Sequence, residues 1–179
     1  MPVETLPAAD DTHITLDDYL HRNYESEREC EFVDGKLEER TGGETPHGIL
    51  HAAAASWFWQ LRAEWNIDCA MSYSMWVSPT RIRVSDIVVM NDKLRENIRI
   101  TPPLLCIEIL APEDIPARLL PRLDDFVAMG VAHIWPLDPI DRTAFTYTNA
   151  GLKLADSARL TVPNSPIYLD LPEIFSALD

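Results

Sequence analysis

The chain is poor in positive charge. Its 179 residues include 15 lysines and arginines against 29 acids, which gives a formal net charge of −14. Only three of the bases are lysines, at positions 36, 93 and 153. Affinity for nucleic acid without sequence preference comes mostly from neutralised phosphates. The charge balance therefore argues against tight nonspecific binding, although it leaves room for a local basic patch.

The sequence also lacks any apolar run long enough to cross a bilayer, which takes about 20 residues. Its acidic start, residues 1–11, has no signal-peptide pattern. We therefore expect a cytoplasmic protein that does not enter membranes. With 46% hydrophobic and 25% charged residues and no internal repeat or linker, the chain predicts one globular domain over residues 15–179, after a disordered segment 1–14.

Cysteine is scarce and scattered. Cys30, Cys69 and Cys106 are odd in number, far apart and embedded in apolar sequence, which predicts reduced thiols in the core. No cluster of cysteine and histidine has the spacing of a zinc site.

Single carboxylates stand within apolar strand-like runs. Glu108 lies inside the run 104–110, and Asp86, 22 residues upstream, opens the β-branched run that ends at Met90. Glu31 precedes Asp34-Gly35, the two-residue turn typical of a hairpin. A buried carboxylate is costly without a partner. Three carboxylates converging at strand ends describe an oxygen-rich site suited to Mg²⁺ or Mn²⁺.

Ion pairing offers an alternative interpretation of the same acids. For Glu31 the alternative is a sheet-edge carboxylate paired with an arginine. For Asp86 and Glu108 it is a buried ion pair with one of three arginines, Arg81, Arg83 or Arg122. Half of the twelve arginines lie within about 15 residues of Asp86 or Glu108, so both interpretations remain open.

Periodicity and turn signals predict the order of elements. They indicate a helix from its cap Thr15 to Asn23, a hairpin at 29–40, a helix from its cap Thr45 to about Trp65, strands at 69–77, 81–90 and 104–110, a helix at 115–128, strands at 132–135 and 142–148, and a helix Pro172 to Leu178 capped by Asp170. This order is typical of a mixed α/β sheet with flanking helices and a site at the strand ends.

The helix ending near Trp65 is apolar almost all round, which predicts cover on two sides. One stripe consists of Leu50, Ala54, Trp57, Leu61 and Trp65, and the opposite side carries Ala52, Ala55 and Trp59. We expect the second side to form part of a homodimer interface rather than a base-stacking surface.

An ordered series of motifs runs along nearly the whole chain. It comprises Glu31 to Leu37 (EFVDGKL), Pro46-His47, Ser85 to Val89 (SDIVV), Glu108 to Pro112 (EILAP), Gly130-Val131, Ile134-Trp135 and Asp138-Pro139. This series resembles the putative restriction endonuclease family that is especially abundant in cyanobacteria, within the PD-(D/E)xK nuclease superfamily.

The resemblance implies a restriction-endonuclease-like core that cleaves DNA. It implies that Asp86 and Glu108 bind the divalent metal, that the carbonyl of Ile109 adds a ligand, and that Glu31 supports the site from the hairpin. It also places His47 near the site, although a partly buried histidine bonded to a loop fits that position equally well.

The chain departs from the family pattern at its positive charge. The resemblance implies a lysine on the helix after the Glu, at the position of Arg122, and an acid at the position of Arg118, which with His47 is a candidate accessory residue of the site. Ala111 stands where the family tends to have serine, and Ser85 where it has proline. Arginine can contact a phosphate but does not serve as a proton acceptor.

Three functions follow from these observations. The leading hypothesis is a metal-dependent DNA endonuclease, or a weakened descendant, with Glu31, Asp86, Glu108 and Arg122 as catalytic residues. The second is a catalytically impaired nuclease fold that acts as a dimeric binding or regulatory module. The third is hydrolysis of another phosphate ester at the same site.

Overall fold

The computed structural model describes residues 13–22, 26, 29–40, 44–93, 95–112, 114 and 116–179. The helices are α1 (Leu16–Leu20), α2 (Thr45–Trp65), α3 (Pro116–Met129) and α4 (Leu171–Ser176). The strands are β1 (Cys30–Val33), β2 (Lys36–Glu39), β3 (Asp68–Ser78), β4 (Arg81–Met90), β5 (Leu105–Ile109), β6 (His133–Asp138), β7 (Thr143–Thr148), β8 (Gly151–Leu154), β9 (Arg159–Thr161) and β10 (Tyr168–Asp170).

Eight strands form one mixed sheet, in the order β2-β1-β4-β5-β6-β7-β8, with β3 also paired to β4. Only β5 and β6 run parallel among these pairs. Strands β9 and β10 form a separate antiparallel pair. The predicted mixed α/β sheet with flanking helices is confirmed.

Helices cover both faces of the central strands because side chains alternate along each strand. Ile87 and Val89 of β4 pack in the cluster that contains the buried residues of α2 and α4. Val88 and Met90 pack instead in the cluster that contains α3. Strands β4 and β5 are therefore buried on both faces, as their apolar runs predict.

The long helix α2 differs from the prediction in two respects. Its N-cap is Glu44, whose side chain makes no capping hydrogen bond, so Thr45 is the first helical residue rather than the cap. Ala55 was predicted on the outer side but is buried, because the packed stripe is wide enough to include both it and Ala54. Trp59 is 54% exposed, in agreement with its predicted position.

Other element boundaries were less accurate. Helix α1 ends at Leu20 rather than Asn23, which lies outside the described residues. Strand β6 continues through Pro136 to Asp138, three residues beyond its predicted end. Strands β8, β9 and β10 were missed, because each has only three or four residues and little apolar alternation.

The turns and the core agree with their sequence signals. Thr15 caps α1 in a capping box with Asp18. Asp34 and Gly35 join β1 to β2 with φ values of 52° and 85°, the left-handed conformation that a tight hairpin turn requires. All three cysteines are buried and none forms a disulfide with another, as predicted.

The N-terminal prediction is only partly covered by the structure. Residues 1–12 lie outside the described residues, whereas Ile14 donates a backbone hydrogen bond to the carbonyl of Gly35. The single domain over 15–179 stays a prediction. No helix among the described residues is long and apolar enough to cross a membrane.

A connecting segment covers part of the outer edge of β3. The backbone of Arg99 accepts a hydrogen bond from Trp76 N and donates one to Ser74 O, both at 2.8 Å. The Arg99 side chain is held by Asp92, with contacts of 2.8 and 2.9 Å.

Candidate functional site

The site lies at a gap along one edge of β4. Strand β3 pairs with the opposite edge at every residue except Asp86, while β1 pairs only at 81–82 and β5 only at 87–89. The intervening residues 83–86 have no strand neighbour on this side. The backbone N–H groups that point to this side therefore need other acceptors, because a buried peptide group without a hydrogen bond is costly.

Two carboxylates supply these acceptors, and a third accepts from the end of β5. Val84 N donates to Glu31 Oε1 at 2.9 Å, and Asp86 N donates to Glu108 Oε1 at 3.3 Å. Ile109 N, at the end of β5, donates to Asp86 Oδ2 at 2.7 Å. The acids that the sequence singles out thus accept the backbone hydrogen bonds that a neighbouring strand would otherwise accept.

Asp86 and Glu108 face each other across neighbouring strands. The antiparallel register pairs Ile87 with Ile107, and one further step brings Asp86 opposite Glu108. Residues directly opposite in a sheet project to the same face. Both side chains are buried, with residue exposures of 4% and 1%.

Two arginines neutralise this pair. Arg122 Nη1 on α3 lies 3.1 Å from Glu108 Oε2, and its Nη2 lies 3.4 Å from the buried Asp114. Arg40, directly after β2, donates from Nη2 to Asp86 Oδ1. The remaining oxygen of Glu108 also accepts from Ser85 Oγ at 2.7 Å. Each carboxylate oxygen therefore has a donor from the protein.

Burial and charge separate the protonation behaviour of the two acids. Burial, followed by the charge of Asp86, raises the pKa of Glu108 above its ordinary value. Burial acts to raise the pKa of Asp86 too, but His47, Arg40 and the Ile109 N–H outweigh it and lower that pKa. The pair thus favours one firmly ionised carboxylate and one that holds its proton more tightly.

Two histidines of α2 contact Asp86. His47 Nε2 lies 3.7 Å from Asp86 Oδ2, and this carboxylate raises the pKa of His47. His51 Nε2 lies 2.8 Å from the carbonyl of Asp86, a bond that supports the backbone. The helix therefore fixes both the side chain and the main chain of the same residue.

Glu31 belongs to a separate ion-pair cluster. Its Oε2 accepts from Arg83 Nη1 at 2.7 Å, and Arg83 also contacts Glu38 and Asp125, each at 2.8 Å. Arg81 joins through Asp125 at 2.9 Å. The structure thus shows the alternative arginine pairing for Glu31, buried rather than exposed at an edge.

Sequence reasoning missed Arg40. The hairpin register aligns Glu39 with Cys30 but gives no signal for this contact, because β1 lies between β2 and the strand that carries Asp86. Arg118 was considered as an accessory residue, but its contact is to the carbonyl of Glu39, at 3.4 Å.

The ligand types at this site fit a hard divalent cation, since two carboxylates face each other with the backbone of Ile109 beside them. Their present partners restrict that fit, because Arg40 and Arg122 each hold one carboxylate oxygen. Across the described part of the chain, no group of three or more histidine, cysteine, aspartate and glutamate side chains could hold a metal ion. A metal here would rely on two carboxylates, backbone oxygen and water.

Comparison with known proteins agrees with the motif series. A family described as Uma2, putative restriction endonuclease, matches residues 16–176. A crystal structure of a putative nuclease belonging to DUF820 from Anabaena variabilis superposes with a TM-score of 0.76 at 22% identity, covering 92% of this chain and 99% of that one. At this identity the likeness shows the fold. No curated protein matches the chain.

The buried Arg83 cluster generates a prediction about stability. Arg83→Met leaves Glu31 buried without its arginine and leaves Asp125 with Arg81 alone, so we expect unfolding free energy to fall by about 3–5 kcal/mol. Urea denaturation measures the change. The matched control is Arg159→Met, whose half-exposed ion pair with Asp170 contributes under about 1 kcal/mol. Equal losses of unfolding free energy in the two variants would contradict the stabilising role of the buried Arg83 cluster.

Proposed function

We propose a DNA endonuclease activity for this chain, which belongs to the putative restriction endonuclease family. The proposed reaction is hydrolysis of a phosphodiester bond with Mg²⁺ or Mn²⁺, as in the PD-(D/E)xK superfamily. Proteins with restriction-endonuclease-like folds generally use divalent metals, and DNA is the substrate that the family description suggests.

The observation that carries the proposal is the Asp86 and Glu108 pair. Two buried carboxylates face each other at the point where β4 and β5 diverge. Placing two like charges together in a core is costly unless a cation compensates them. The same two positions match the acids of the family motif series.

Asp86 and Glu108 would hold the metal, with the carbonyl of Ile109 as a further oxygen ligand. A divalent cation supplies polarisation of the phosphoryl oxygen and a lowered pKa for bound water. Asp114 contacts the other nitrogen of the Arg122 guanidinium and so holds it beside Glu108. Arg122 would orient a phosphate through its planar fork. Glu31 would act indirectly, by fixing the backbone of β4 at Val84.

A second function is favoured by the arginine pairs. Because Arg40 and Arg122 already neutralise the charges of Asp86 and Glu108, the buried carboxylate pair needs no metal for its stability. A chain with this arrangement could serve as a binding or regulatory module that retains the nuclease fold. Hydrolysis of another phosphate ester at the same pair is the third hypothesis.

The first test is plasmid nicking in Mn²⁺ or Mg²⁺. We expect weak nicking by the native chain and none by Asp86→Asn with Glu108→Gln, because that double variant removes the anionic ligands. Millimolar metal should also raise the melting temperature of the native chain only. Asp156→Asn, at an exposed position, is the matched control for loss of acidic charge. Metal-dependent nicking that survives in the double variant would place the site elsewhere.

Arg122→Lys separates the endonuclease from the binding module. Lysine restores the residue type implied by the family pattern and is able to transfer a proton. We therefore expect a gain in metal-dependent nicking over the native background. Robust cleavage by the native chain that is lost in Arg122→Lys would instead identify arginine as the evolved catalytic group. Absence of cleavage by both proteins would favour the binding module.

We also propose that the chain forms a homodimer through Trp59. This side chain is 54% exposed on α2, with the Arg62 guanidinium 4.0 Å from its ring centroid. An apolar ring of this size gains free energy when a partner covers it. The predicted cytoplasmic location stays a prediction.

Trp59→Glu should therefore yield monomers in light scattering, because it places a charge in the proposed interface. Trp59→Phe, which keeps an apolar ring, serves as the control and should remain dimeric. A native chain that is monomeric across the concentration range would reject the interface.

A further inference from the structure

Arg40 stands between the carboxylate pair and a large cavity. The cavity has a volume of about 740 Å³, and its lining includes Glu29, Ser72, Tyr73 and Asn97. Arg40 Nη1 contacts two of these residues, Glu29 Oε2 at 2.8 Å and Ser72 Oγ at 3.5 Å. Its Nη2 contacts Asp86 Oδ1. One guanidinium thus connects the cavity wall to the proposed metal site.

The bonding of Arg40 is incomplete despite its burial. Its side chain is only 10% exposed, yet its Nε, like that of Arg122, has no hydrogen-bond partner among the described residues. A buried donor without an acceptor is costly. A guanidinium in this state is suited to accept a new anionic partner, and its fork matches the geometry of a phosphate.

The two arginines of the site differ in how firmly they are anchored. Arg122 is held on its far side by Asp114, whose side chain is 3% exposed. Arg40 is held on its far side by Glu29, whose side chain is 44% exposed. An exposed ion pair contributes less than a buried one. Arg40 is therefore the guanidinium that can leave its carboxylate more easily.

A metal at Asp86 and the present position of Arg40 exclude each other. Oδ2 of Asp86 already accepts the N–H of Ile109, so a metal held by Asp86 would use Oδ1, the oxygen that Arg40 now contacts. A divalent cation placed there would lie against a positively charged guanidinium and would move Arg40 away from Asp86. The charge of −14 provides no diffuse positive field to attract DNA, so a released arginine beside the cavity is a local source of attraction.

We propose that Arg40 is the counter-ion that a divalent metal displaces from Asp86, and that a DNA phosphate entering the cavity accepts the displaced guanidinium. Arg40 is then a positioning residue that couples metal binding to DNA binding. The inference rests on the metal site of the proposed function. It adds a consequence that the proposed function does not require, namely that each ligand tightens the binding of the other.

The test measures Mn²⁺ affinity by calorimetry, without cleavage. The proteins are the native chain, Arg40→Gln and the control Arg159→Gln, each with and without a short DNA duplex that has a phosphorothioate backbone. We expect Arg40→Gln to bind Mn²⁺ at least about tenfold more tightly than the native chain, equivalent to about 1.4 kcal/mol. Arg159→Gln should match the native affinity.

DNA should tighten Mn²⁺ binding by the native chain severalfold more than by Arg40→Gln, because only the native chain has a guanidinium to transfer. If Arg40→Gln fails to fold, Arg40→Lys provides the same test, with an expected affinity between the two. Equal Mn²⁺ affinity in the native chain and the folded Arg40 variant would overturn the proposal. An equal effect of DNA on both proteins would overturn the coupling.

These results are independent of the nicking assay. Absence of cleavage together with tightened Mn²⁺ binding in Arg40→Gln would reject the activity and leave the role of Arg40 supported. Active cleavage together with unchanged Mn²⁺ affinity in Arg40→Gln would support the activity and reject the proposed role of Arg40. Asp86→Asn in the Arg40→Gln background should abolish the tight site, which confirms where the metal binds.

Discussion

The unpaired edge of β4 is the constraint on which the site depends. Where β1 and β5 separate, peptide N–H groups are buried without a strand to accept from them. Glu31 and Glu108 accept from these N–H groups, and Asp86 accepts from the N–H of Ile109 at the end of β5, which explains why acids occupy otherwise apolar strands. The same acids bring negative charge into the core, and every other feature of the site responds to that charge.

Arginines from three parts of the chain meet this charge. Arg83 lies on β4 itself, Arg122 on α3, and Arg40 at the end of the hairpin. Their contacts differ, since Arg83 has three carboxylate partners whereas Arg40 has only Asp86 and the partly exposed Glu29. Buried guanidinium groups thus have two roles, since Arg83 stabilises the fold and Arg40 takes part in the proposed function.

Sequence reasoning was most successful where chemistry is local. The Asp34-Gly35 turn and the apolar runs around Asp86 and Glu108 identified the hairpin and the two central strands, because turn geometry and burial leave clear patterns. It failed where long-range contacts decide. Nothing in the local sequence around Arg40 shows that it reaches a residue 46 positions away. Whether Ala55 is buried likewise depends on how α2 is rotated against the sheet. A helix that is apolar almost all round does not fix that rotation.

The segment that pairs Arg99 with β3 has a consequence for how the chain behaves in crowded solution. An open strand edge offers its peptide groups to any other extended chain, which is a common start of aggregation. Because Arg99 already engages Ser74 and Trp76, and Asp92 fixes its side chain, this stretch of β3 is closed to an incoming strand. The chain thus shields part of a long edge strand with its own backbone.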